Sequence, residues 1–167
     1  AAAQGMERVS DRVAGEGDGP FPQLVIQGAT MIDGTGAPPE GPVDIVIEGN
    51  RIASIVRGGA REGAWANAGR VIDARGMYVI PGMVDTHGHN GDPDKAPQPS
   101  YGFKLWLAHG VTTVRGVGFG WGQGDPSLDQ KRRSEANTIV APRLYAYAVP
   151  GDVWPNGAVD TPAKGRE

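Results

Sequence analysis

The chain has 167 residues, a formal net charge of −3, 27 glycines, 14 prolines and no cysteine. Its longest basic run is Lys131-Arg132-Arg133, which excludes a nucleic-acid or anionic-membrane footprint, and no apolar run approaches the ~20 residues of a membrane span. Without cysteine there are no disulfides or thiolate metal sites, so His and carboxylates are the available metal ligands.

Residues 1–20 hold six charged residues and four glycines and read as a flexible lead-in. Ala1-Ala2-Ala3-Gln4 is similar to the small-residue end of a bacterial signal peptide. That gives an expectation of export to the periplasm, with a cytoplasmic location as the alternative. From residue 21 to residue 80 the texture is β-rich. Leu24–Asp33 forms a first strand, closed by Gly34-Thr35-Gly36 and Pro38-Pro39. Val43–Glu48 and Arg51–Val56 flank Gly49-Asn50, a two-residue loop suited to positive φ, and predict a hairpin. Val71–Asp73 and Met77–Ile80 predict a further strand pair around a turn containing Gly76, and the spacing of these short strands predicts an antiparallel sheet.

From residue 81 to residue 167 the pattern changes to α/β. Met83–His89 is strand-like, and Ser100 is an N-cap candidate for a helix with Tyr101, Leu105 and Ala108 on one face. Gly110 supplies a left-handed C-cap, and Val111–Arg115 is a buried-strand candidate. Asp125 and Pro126 open a second helix, and Arg143–Val149 is a third strand. The order β-α-β-α-β with short connections is the opening of a parallel barrel.

The stretch around which this order is arranged is Pro81-Gly82-Met83-Val84-Asp85-Thr86-His87-Gly88-His89. Side chains alternate along a strand, so Asp85, His87 and His89 are expected on one face. The two imidazoles are then close enough for their tips to meet on one ion, although a lone His-x-His is also an ordinary polar strand pattern. The stretch resembles the signature of the amidohydrolase superfamily, and Leu107–Arg115 resembles its imidazolonepropionase-like and prolidase-like branches. The similarity runs from about Leu24 to about Val149.

The resemblance implies a (β/α)₈ TIM barrel preceded by part of a small β-sandwich, with residues 81–167 supplying the first three barrel strands and two helices. It implies that His87 and His89 bind a divalent metal, most fittingly Zn²⁺, as one or two ions. The reaction implied is hydrolysis of a non-peptide C–N bond, in an amide or cyclic amide, or of a small dipeptide. A complete barrel alone needs ~250 residues. The rest of the barrel, with the general base and further ligands, is therefore expected on a second polypeptide segment of the same gene product, and a homo-oligomer is left open. The rival reading is a non-catalytic fragment or binding module that retains only the scaffold.

Other polar residues carry less. His109 falls in a helix's last turn, where a carbonyl-bonded imidazole is favourable, and is not counted as a ligand. Asp92 and Asp94 lie in a proline-rich loop and read as solvated charges. The run Gly116–Gly124 matches neither the dinucleotide nor the P-loop pattern. Following the second strand, it places Arg115, Phe119 and Trp121 as substrate-pocket candidates.

Overall fold

The computed structural model describes residues 8–90, 98–117, 124–147 and 161–166, and the chain divides into two units. The unit of residues 15–81 is a mixed sheet. Strand β1 (Gln23–Met31) lies between β2 (Glu40–Glu48), which is antiparallel to it, and two short strands, β4 (Arg70–Asp73) and β5 (Tyr78–Val79), which are parallel to it. β3 (Arg51–Arg57) completes the hairpin with β2, Glu48 facing Arg51 across Gly49-Asn50 as the loop residues predict.

The predicted pairing of residues 71–73 with 77–80, and the purely antiparallel sheet, do not occur. β4 and β5 are successive pieces of one edge running along β1. Leu24–Gln27 faces Arg70–Asp73, and Thr30-Met31 faces Tyr78-Val79. Between them Ala74 N–H donates to Gln27 O (2.8 Å) and Thr30 N–H to Met77 O (2.9 Å), so the Gly76 turn buckles the edge strand without reversing it. The buckle sits opposite Gly28 (φ +75), where an added Cβ would come within 2.6 Å of Arg75 Cγ. Only glycine satisfies both the backbone and the space there.

This sheet buries side chains on both faces. Ala29, Met31, Val43, Ile45 and Ala74 form one cluster. Asp44, only 1% exposed, alternates with Val43 and Ile45. Its Oδ1 accepts from Gly28 N–H (2.8 Å), and its Oδ2 accepts from Ala60 N–H (2.9 Å) and the Trp65 indole Nε1–H (2.7 Å). Burial works to raise its pKa, but the Trp65, Ala60 and Gly28 donors outweigh it and hold the carboxyl below its ordinary value.

The second unit comprises residues 1–14 and 82–167. Its sheet is parallel, in the order β6 (Met83–Gly88), β7 (Val111–Val117), β8 (Arg143–Tyr147). Helix α1 (Pro99–Ala108) joins β6 to β7, and α2 (Gly124–Glu135) joins β7 to β8. Phe103, Val114, Ile139 and Leu144 form its core, with Trp106 and Ala146 packed against them.

Helix α1 presents a different face from the one expected. Pro99 and Phe103 are buried, with Trp106 packed beside them, whereas Tyr101 and Leu105 are 69% and 44% exposed. Residues 99, 103 and 106 have the same i, i+4, i+7 spacing as 101, 105 and 108, and the larger aromatic pair takes the inward face. The N-cap is Gln98, with Ser100 inside the first turn. Gly110, at φ +79, ends the helix as expected.

Residues 8–13, within the stretch read as a lead-in, dock onto this unit. Val9 is 3% exposed in the core cluster, and Arg12 N–H donates to Thr138 O (2.7 Å). Arg133, at 7% exposure, donates from Nη2 to Val9 O and Asp11 Oδ1, both at 2.6 Å.

Candidate metal centre

β6 ends at Gly88, so His87 and His89 stand at the C-terminal edge of a parallel sheet, the edge at which α/β folds gather ligands. Gly88 faces Gly116, which faces Ala146. Gly116 lies two residues beyond the buried Val114, and Ala146 two beyond the buried Leu144, on the side covered by α1. Alternation therefore places His87, His89, Arg115, Tyr145 and Tyr147 on the opposite side, away from α1. Tyr145 is 50% exposed there.

Gly88 has a definite reason to be glycine. An added Cβ would lie 2.5 Å from Val114 Cγ1 and 2.9 Å from Trp106 Cζ2. The strand end is pressed against α1 at the one residue between the two histidines, which turns both imidazoles away from α1.

The two Nε2 atoms lie 3.0 Å apart, with ring centroids 5.0 Å apart and planes inclined by 51°. Their donor and acceptor roles follow from the tautomers the two rings adopt. Two imidazole nitrogens on a tetrahedral zinc at ~2.0–2.1 Å stand about 3.3 Å apart, so the pair fits a divalent ion after a small spreading of the tips. Among the described residues no cluster of three or more His, Asp or Glu converges, so the chain's described part offers two donors and not a complete set.

Asp85 does not share the histidines' face. Asp85 faces Val114 while Gly88 faces Gly116, so three steps of β6 span two of β7. This bulge breaks the strict alternation on which the shared face rested. Asp85 Oδ1 instead accepts from the His87 backbone N–H at 3.0 Å and braces the bulge.

The Arg115 guanidinium stacks over the Tyr147 ring at 4.4 Å from its centroid, and the Tyr147 hydroxyl lies 3.5 Å from His87 Nδ1. Sequence reading missed Tyr147. Its signal was position, the last residue of the third strand in phase with Arg115 and the His pair. His109 behaves as expected, its Nδ1–H donating to Leu105 O at 2.8 Å. Phe119, Trp121, Asp92 and Asp94 lie outside the described residues, as do Ala148 and Val149 of the predicted third strand.

No protein-family model matches the chain. It is 30% identical over 146 residues to N-acyl-D-aspartate deacylase of Alcaligenes xylosoxydans xylosoxydans, covering 84% of this chain and 26% of the relative. It is 41% identical over 91 residues to N-acyl-D-glutamate deacylase of the same organism, covering 54% of this chain and 17% of the relative. The chain thus matches 26% and 17% of the length of these two curated relatives. Among solved structures it is similar to a Xaa-Pro dipeptidase with bound methionine in its active site, at TM-score 0.62 and 24% identity, over 83% of this chain and 38% of that one.

Proposed function

With the chain placed in the amidohydrolase superfamily by its sequence and its α/β fold, we propose that it is part of a metal-dependent hydrolase in which His87 and His89 hold a divalent ion. Zinc suits the donor set, since imidazole is among its commonest ligands. The substrate is a small molecule with a non-peptide amide or cyclic amide C–N bond, or a small dipeptide. The observation that carries this reading is the 3.0 Å convergence of the two Nε2 atoms at the C-terminal edge of a parallel sheet. When bound, the ion supplies Lewis acidity at the scissile carbonyl and acidifies water. Asp85 braces the strand end, Gly88 turns both imidazoles away from α1, and Arg115 lies on the same side in reach of a bound substrate.

β6–β8 are the first three strands of a (β/α)₈ barrel, and residues 15–81 are part of a β-sandwich. A parallel strand is normally buried on both sides, whereas β8 pairs only with β7 among the described strands. A further segment, of the same gene product, completes the barrel and brings the remaining ligands and the general base. The test uses the full-length protein stripped of metal by a chelator and reloaded with zinc. Hydrolysis of N-acyl amino acids, cyclic amides or dipeptides should vanish on stripping and return on reloading. Hydrolysis that survives complete metal removal would overturn the reading.

A further inference from the structure

We infer that Tyr147 is a positioning residue for His87, holding its ring proton on Nδ1 so that the Nε2 lone pair is free for the ion. This deepens the proposed function and rests on His87 being a ligand. A ligating histidine must carry its remaining proton on the other ring nitrogen, and it is fixed when that N–H has an acceptor. Tyr147 Oη, 3.5 Å from His87 Nδ1, is the acceptor the described residues place there. The separation is a few tenths of an ångström beyond the ~2.7–3.2 Å of a formed N–H···O bond, so a small turn of either ring closes it.

The tyrosine is itself held. Arg115 lies over its ring at 4.4 Å, a cation–π contact that holds the ring by its face and does not involve the hydroxyl. The ladder supplies the placement. β6, β7 and β8 run in parallel with Gly88, Gly116 and Ala146 aligned, so His87, Arg115 and Tyr147 come from three adjacent strands on one side of the sheet. Each residue restrains the next, from guanidinium to phenol to imidazole.

Tyr147→Phe in the full-length protein isolates the hydroxyl, because the ring and its contact with Arg115 remain. The dissociation constant for Zn²⁺, measured by competition with a chelator, should rise ~10–100-fold, while the melting temperature of the metal-free protein stays unchanged. Nitrogen-detected NMR of the metal-free wild type should show His87 as the Nδ1–H tautomer, and the variant should lose that preference. An unchanged zinc affinity, or an Nε2–H tautomer at His87 in the wild type, would overturn the inference. In the same titration the His87→Ala, His89→Ala double variant should lose the site altogether. If it does while Tyr147→Phe binds zinc normally, the tyrosine's role fails and the metal centre stands. Zinc bound normally by the double variant removes both.

Discussion

The two units handle buried and exposed polar groups in opposite ways. In the sheet of residues 15–81 the polar side chain that enters the core, Asp44, meets three N–H donors and both its oxygens are engaged. In the parallel sheet of β6–β8 the polar side chains on the side away from α1 include two imidazoles with their Nε2 atoms 3.0 Å apart and a guanidinium on a phenol ring. A buried carboxylate engaged on both oxygens by its own chain has little capacity left for a ligand, and its role is to hold the fold. Two imidazoles whose Nε2 atoms converge retain that capacity. The contrast separates a structural polar site from a functional one by how much hydrogen-bonding capacity each leaves unused.

The separation can be tested by substitution. The largest effect is expected from the His87→Ala, His89→Ala double variant. Bound zinc, measured by metal analysis, should fall to background, while the stability of the metal-free protein changes by no more than ~0.5 kcal/mol because both rings are exposed. Asp44→Ala should do the reverse, costing about 3 kcal/mol by denaturant unfolding and leaving zinc affinity intact, because three N–H donors lose their acceptor.

The sign of the pH dependence at Asp44 follows from its lowered folded pKa. The ionised carboxylate's contribution is fully present above the ordinary value of 3.8 and is lost as pH falls through the lower folded value. The stability difference between wild type and Asp44→Asn should therefore be constant near neutrality and shrink in acid. A difference that grows in acid would contradict the assignment.

Gly88→Ala tests whether one residue can affect both fold and site. Forcing a Cβ against Val114 and Trp106 should cost ~1–3 kcal/mol and weaken zinc binding by shifting the strand end between the ligands. The smallest effect is expected at Trp65→Phe, which removes one of the three donors and should cost ~0.5–1.5 kcal/mol in a melt.

Much of this was legible in the residues, for identifiable reasons. Gly49-Asn50 announces the β2–β3 hairpin because few residues accept positive φ there. His-Gly-His after Pro-Gly, with the apolar strands that follow, locates the candidate ligands and the β-α-β order. The pairing of β4 and β5 with β1 was not legible, because a parallel partner is chosen by distant sequence and the Gly76 turn reads as a reversal. Helix α1 carries two apolar stripes of equal spacing, and only packing on Val114 and Leu144 decides between them. Asp85 was misplaced because a bulge cannot be read from alternation. Tyr147 was missed because its partner is 60 residues away in the chain.

The docking of residues 8–13 has a consequence for biosynthesis. Arg12 bonds to Asn137 across 125 residues, and Val9 O meets Arg133 across 124. At ~5–20 residues per second a ribosome takes about 6–25 s to deliver those partners after the strap itself has emerged. The sheet of residues 15–81 contains its own pairing partners, so it can close while synthesis continues. The opening residues must wait, with Val9 unburied, until α2 and the segment after it leave the exit tunnel. Residues 8–13 are thus set in place only after residues 133–139 have followed them, and until then Val9 is an exposed apolar anchor.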